Sequence, residues 1–132
     1  MGPQVSPTSL ARALIRQLVG ADAILGLDEP DPVDLEGGKV YIQLYVLDGY
    51  EDRFEQHPEI DVHVYSRSFR RTEQIALLIQ RQIVRYPVRV QVDGKAAILD
   101  RSEVTTFTRE IPWDADASVT RFHGSYQLQT RS

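Results

Sequence analysis

Apolar and polar residues alternate over positions 60–65, and a helical spacing replaces this period of two after residue 68. One side of the predicted strand carries Ile60, Val62 and Val64, and the other carries Asp61, His63 and Tyr65. Farther along, apolar residues recur three and four positions apart, at Ile75, Leu78, Ile79, Ile83 and Tyr86. Residues 60–87 therefore predict a half-buried strand leading into an amphipathic helix that Pro87 ends.

A second amphipathic helix is predicted near the N-terminus. Leu10, Leu14 and Leu18 lie four residues apart and form one apolar stripe. Ser6 can cap this helix, Pro7 suits its first position, and Gly20 suits the position after its end.

The clearest strand of the first half is residues 39–48. Its apolar side carries Val40, Ile42, Leu44 and Val46, and its other side carries Tyr41, Gln43, Tyr45 and Leu47. Tyrosines beside polar residues are common where one protein surface meets another, and they also occur on a sheet face partly covered by a loop. The pattern leaves both interpretations open.

The remaining segments complete an α+β class. Residues 22–38 read as a long acidic loop, and residues 50–59 as a polar flap between two strands. Asp93-Gly94 predicts a hairpin turn between strands at residues 88–92 and 95–99. Residues 104–111 predict a further strand, and residues 118–130 the last one. We expect a mainly antiparallel sheet of about five strands with two helices packed on one face, plus a β-hairpin.

Composition indicates one domain spanning the 132 residues and excludes several classes of protein. No window has the roughly 18 apolar residues of a membrane span. The absence of cysteine excludes disulfides and thiolate metal sites. The net charge of −4 argues against a dedicated nucleic-acid binder. The charge is uneven, because residues 1–66 carry 4 basic and 12 acidic side chains whereas residues 67–132 carry 11 and 7. Chance together with a basic helix face is the preferred explanation of this split, and head-to-tail packing, in which an acidic surface of one copy meets a basic surface of the next, is the alternative.

The sequence shows no catalytic motif. No two histidines are spaced as zinc ligands on a helix, no nucleophile elbow is present, and no glycine loop could bind phosphate. Asp61 and His63 share a strand face and could contact a metal, but a structural pair is the preferred interpretation. We therefore expect no catalytic, cofactor-binding or metal-binding residues, no cofactor, and no enzyme activity.

Three arginines precede the second helix, at Arg67, Arg70 and Arg71. Positive charge near a helix N-terminus opposes the helix dipole, so acidic partners are expected for this basic junction, on another copy of the chain among other places. Weak contact with a DNA backbone is the alternative.

The order of these elements resembles the tail terminator proteins of long-tailed, non-contractile bacteriophages. The resemblance rests on the strand Ile60–Tyr65, the helix over residues 73–83, and a closing strand with Arg121-Phe122 and Tyr126-Gln127-Leu128. It covers residues from about 5 to 131. These motifs are hydrophobic patterns and include no catalytic residue.

The resemblance implies a hexameric ring at the head–tail interface of a virion, assembled in the host cytoplasm. Such a ring caps the head-proximal end of the tail tube, halts tube polymerisation, and docks the head-completion or connector protein. DNA passes through its lumen without sequence-specific binding. The residues expected at a subunit boundary or the lumen are Tyr41, Gln43, Tyr45, Asp61, His63, Tyr65, Arg67, Arg70 and Arg71. The alternatives are another ring-forming neck connector and a small bacterial accessory domain that binds a ligand.

Overall fold

The computed structural model describes residues 6–51, 56–84, 88–92 and 94–131. Its two α-helices are α1, Pro7–Val19, and α2, Phe69–Ile83. Its strands are β1, Ala23–Gly26; β2, Val40–Glu51; β3, Gln56–Ser66; β4, Val88–Val92; β5, Lys95–Glu110; and β6, Thr120–Arg131. Short 3₁₀ segments lie at Gly20–Asp22 and Pro32–Gly38.

The six strands form one sheet in the order β1-β2-β3-β6-β5-β4. Every neighbouring pair is antiparallel except β1 and β2, which run parallel. The α+β class and the mainly antiparallel sheet are confirmed, but the sheet has six strands instead of about five. The hairpin strands β4 and β5 belong to the same sheet, and of the predicted turn Asp93 lies outside the described residues.

Both helices pack on one face of the sheet. The apolar side of β3 is fully buried there, as are Val40, Ile42 and Leu44 of β2, whereas Val46 is only partly buried. Leu10, Leu14 and Ile15 of α1 and Ile79 and Ile83 of α2 are fully buried against them. This core orients each central strand, so the residues of opposite parity must point to the other face. Within the described ranges, neither helix is long and apolar enough to cross a membrane.

α1 begins and ends close to its predicted bounds, and α2 begins close to its predicted start. Pro7 occupies the first turn of α1, and Gly20 follows its end with φ of 74°. Ser6 makes no side-chain capping hydrogen bond, in contrast to the prediction, whereas Ser68 caps α2 by accepting from the Arg71 N–H. α2 ends at Ile83, and the predicted stop at Pro87 lies outside the described residues.

Three predicted segments are wrong in detail. The polar flap predicted over residues 50–59 is shorter, because β2 extends to Glu51 and β3 begins at Gln56. The predicted acidic loop contains strand β1, which pairs in parallel with Val40–Gln43, and also the 3₁₀ segment Pro32–Gly38. Residues 95–99 and 104–111 are not separate strands. One strand, β5, runs from Lys95 to Glu110. Its pairing with β6 shifts register in the middle, where the polar residues lie.

Candidate functional site

The sheet face opposite the helices carries three rows of side chains across β2, β3 and β6. Strand register aligns Tyr41, Tyr65 and Arg121 in the first row, Gln43, His63 and His123 in the second, and Tyr45, Asp61 and Ser125 in the third. Most of the predicted surface residues therefore lie together on one face.

The first row is covered by two segments: the 3₁₀ segment Pro32–Gly38 and the connection between β5 and β6. Tyr65 has no exposed surface and packs with Leu35, Trp113 and Val119 in a second apolar cluster. Its ring meets the Trp113 ring edge-on, with the centroids 5.1 Å apart. The Tyr65 hydroxyl donates to Gln43 Oε1 at 2.7 Å. Burial raises the pKa of Tyr65 to about 12, although the nearby Arg121 opposes the shift. Tyr65 is thus a core residue of this chain.

Tyr41, the neighbouring tyrosine on β2, is held by the segment that follows β1. The Tyr41 hydroxyl donates to the Asp28 carbonyl at 3.0 Å, and Gln43 Nε2 reaches the Leu27 carbonyl at 3.4 Å. Both side chains are half-buried. By contrast, the Tyr45 side chain in the third row is 54% exposed. The uncovered part of the face therefore begins at the second row.

A polar cluster occupies that uncovered part. The Asp61 carboxylate accepts hydrogen bonds from His123 and from the Ser125 hydroxyl. His63 stacks on His123, with ring centroids 4.4 Å apart, and its Nε2 lies 3.8 Å from Asp61 Oδ2. The side chains of Asp61, His63 and His123 retain 25%, 18% and 17% of their exposure, so water reaches the cluster.

The electrostatics of the cluster keep Asp61 ionised and His63 neutral. Burial lowers the pKa of His63 to about 4, and repulsion from His123 adds to the shift. Burial alone would raise the pKa of Asp61, but hydrogen bonds from Ser125 and His123 outweigh it and hold the pKa below its usual value. An ionised carboxylate beside a neutral imidazole is a set of potential metal ligands.

The cluster contains serine, histidine and aspartate but lacks the order of a hydrolase triad. Nucleophile activation needs an imidazole between the two oxygens, bonded to each through a different ring nitrogen. Here Ser125 donates directly to Asp61, and the one nitrogen His123 Nε2 contacts both Asp61 and Ser125. The geometry therefore provides no activated serine.

The basic junction divides into two parts. Arg67 donates to Asp116 Oδ2 at 3.1 Å, to Ser118 Oγ at 2.7 Å and to the Pro32 carbonyl at 3.0 Å. Arg70 and Arg71 are exposed in the first turn of α2, and no carboxylate of the described residues lies within ion-pair distance of them. Of the three arginines, Arg70 and Arg71 therefore remain available to an external acidic partner.

His123 and Ser125 are site residues that the sequence pattern alone does not indicate. The alternation in residues 118–130 correctly separated them from the apolar side of the strand. However, the pairing of β3 with β6 across 62 residues of sequence could not be derived from either strand alone. The signal that the sequence does offer is that His123 and Ser125 are polar and lie on the side of the strand opposite its apolar residues.

A shallow polar depression lies at the other end of the sheet. It encloses about 110 Å³ and is lined by residues that include His57, Arg101, Ser102 and Gln127. Pockets that bury a small-molecule ligand typically measure about 300–1,000 Å³. This depression is therefore too small to enclose a ligand of that class.

No protein-family model and no curated protein matches the chain. Among solved structures, a chain from the virion of a native gene transfer agent particle has a similar fold, with a TM-score of 0.54 and 15% sequence identity. The alignment covers 95% of this chain and 90% of that chain. A second solved chain, 16% identical over 95% of this chain and 97% of its own length, reaches a TM-score of 0.49. The first similarity shows a shared fold.

Proposed function

We propose that the protein is a structural protein of a phage or phage-like virion, and within that class a tail terminator. It forms a ring that caps the head-proximal end of the tail tube, stops tube polymerisation, and joins the tube to the head-completion complex. The observation that carries the proposal is the fold shared with a virion chain over 95% of the present chain. The resemblance of residues 60–83 and of the closing strand to tail terminators supports the finer assignment.

The surface proposed for contact between copies is the uncovered part of the polar sheet face. Tyr45 supplies an exposed aromatic ring there, beside Asp61 and His63. Aromatic residues with a polar tip are enriched at protein interfaces because they bury apolar area while keeping a hydrogen-bonding group. Tyr41 and Gln43 border this surface, whereas Tyr65 supports it from inside.

Charge supplies a second pair of surfaces for head-to-tail packing. Arg70 and Arg71 are exposed at the start of α2, and the acidic segment 28–36 exposes Asp28, Glu29, Asp31 and Asp34. A ring is built from two different surfaces that repeat around an axis, and opposite charges select the register. We place the arginines of one copy against the acidic segment of the next.

The proposed role as a tail terminator also has consequences for DNA, for enzyme activity and for ligand binding. The net charge of −4 fits a channel wall that does not hold phosphate, so DNA passes through the lumen without sequence-specific binding. The protein acts through assembly and has no enzyme activity. The small depression beside β5 and β6 does not favour the alternative of a ligand-binding accessory domain.

Tube capping tests the terminator function directly. Purified chain is added to polymerising tail-tube subunits from the same particle, and tube lengths and ends are measured by electron microscopy. We expect shorter tubes with one end capped, and no further growth from that end. Unaltered tube growth together with a twelvefold ring would identify a neck connector instead. A monomer with no effect on tubes would contradict both ring functions.

A further inference from the structure

Asp61, His63 and His123 bring three metal-ligating side chains together across two strands. One ligand atom from each lies within 4.8 Å of the other two. His63 faces His123 in the register of β3 and β6, and Asp61 faces Ser125 one pair farther along. Directly opposed residues on antiparallel strands have Cβ atoms about 4.5–5.5 Å apart, so the sheet itself fixes the spacing of the cluster.

The donor set and its dimensions suit a transition-metal ion. Two imidazole nitrogens and a carboxylate oxygen form the open tetrahedral set that Zn²⁺ occupies in proteins, with bonds of about 2.0–2.2 Å. Tetrahedral bonds of that length place ligand atoms about 3.3 Å apart. The three ligand atoms lie within 4.8 Å of one another, a separation of the same order as that spacing. The ion would take the place of the hydrogen bond that Asp61 accepts from His123.

His63 stacks on His123 but makes no hydrogen bond to the Asp61 carboxylate. Its Nδ1 is buried without a hydrogen-bond partner, and its Nε2 lies 3.8 Å from the Asp61 carboxylate, beyond hydrogen-bond length. Nε2 therefore faces the carboxylate without a hydrogen bond to it and can serve as a ligand. Ser125 meanwhile donates to Asp61 and fixes the carboxylate, as residues behind metal ligands commonly do.

We propose that Asp61, His63 and His123 bind one divalent transition-metal ion of the Zn²⁺ class, with Ser125 orienting the Asp61 carboxylate. Imidazole donors favour Zn²⁺, Cu²⁺ or Ni²⁺ over Mg²⁺ and Ca²⁺, which prefer oxygen ligands. The ion joins β3 to β6 on the uncovered sheet face. Three protein ligands leave one coordination position for water. The proposal concerns the single chain and does not depend on its assembly into a ring.

Titration of the untagged full chain with ZnCl₂ after chelator treatment tests the site. Calorimetry should give one ion per chain with saturable binding, and Co²⁺ should give the visible absorption of a tetrahedral site. We expect His63→Gln and His123→Gln each to weaken Zn²⁺ binding by about tenfold or more. The matched controls His57→Gln and Glu59→Gln remove a histidine and a carboxylate of β3 outside the cluster, and should leave the affinity unchanged.

Absence of saturable binding to the wild-type chain would overturn the proposal. So would equal affinities of wild type and a folded His63→Gln variant, because the bound ion would then lie elsewhere. X-ray absorption of the Zn²⁺-loaded wild-type chain gives a result that does not depend on variant folding. Two imidazole ligands and one carboxylate would support the site, and an all-oxygen shell would exclude it.

Discussion

Arg67 donates a 3.1 Å hydrogen bond to Asp116 and thereby ties the end of β3 to the segment that covers Tyr65. The same guanidinium also reaches Ser118 and the Pro32 carbonyl, so it joins both covering segments. The sequence predicted acidic partners for the basic junction, on another copy among other places. For Arg67 the partner lies in the same chain, and only Arg70 and Arg71 remain for contact between copies.

Replacing Arg67 with alanine should lower the free energy of unfolding by about 1–2 kcal/mol. The variant loses three hydrogen bonds, and their partial exposure to water keeps the loss small. Urea denaturation measures the change. Arg70→Ala is the matched control and should change the free energy by less than about 0.5 kcal/mol. Equal losses in the two variants would contradict a clamping role for Arg67.

Tyr65 should make the protein sensitive to alkali. Its pKa is about 12 in the folded chain and about 10 when unfolded, so ionisation favours the unfolded chain as pH rises from 10 to 12. The stabilisation is fully present below pH 10, and up to about 2–3 kcal/mol is lost by pH 12. Tyr65→Phe removes this dependence but also costs about 1 kcal/mol at neutral pH, through the lost bond to Gln43. Urea unfolding across this pH range should show a shallower decline for the variant, and parallel declines would refute the assignment.

Gly124 lies under the hydrogen bond between Thr108 and Tyr126, which spans 2.8 Å. A Cβ atom at this position would come within 2.7 Å of both hydroxyl oxygens. We expect Gly124→Ala to destabilise the protein by about 1–3 kcal/mol, since the packed core must shift. Adding Tyr126→Phe removes one of the clashing oxygens, so the double variant should lose less than the sum of the single changes. Strict additivity, measured by thermal unfolding, would show that the contact is relieved in another way.

Charge reversal at Arg70 should weaken assembly without unfolding the chain. Arg70 is exposed and lies in the part of the junction proposed to meet the acidic segment of a neighbouring copy. Arg70→Glu should raise the concentration needed for assembly about tenfold or more, whereas Arg109→Glu, an equal charge change on β5, should have a smaller effect. Sedimentation velocity at several protein concentrations measures this. Identical behaviour of the two variants would exclude the proposed pairing of surfaces.

The sequence was most informative where one face of an element is buried. The alternation at Ile60, Val62 and Val64 correctly predicted the side of β3 that meets the helices, because burial imposes the period. Strand β1 was missed because Ala23–Gly26 has only four residues, too few to show alternation, and lies beside acidic and proline residues. β1 forms by pairing with β2, and this tertiary contact is not visible in the local sequence.

The candidate cluster was only half predictable for a related reason. Asp61 and His63 share one strand, so their common face follows from local geometry. His123 and Ser125 complete the cluster only because β6 lies beside β3, and strand order is not encoded in local periodicity. Likewise, Tyr65 has the same parity as the exposed residues but is buried by segments that Arg67 joins through hydrogen bonds.

The mass of the purified chain in solution tests the central claim, which is assembly into a ring. Sedimentation or light scattering should give a closed species of about 90 kDa, six times the 15.0 kDa of one chain, whose size does not grow with concentration. A heterologous interface that closes stops at a fixed number of copies. A species of 15.0 kDa at every concentration up to the solubility limit would contradict the account.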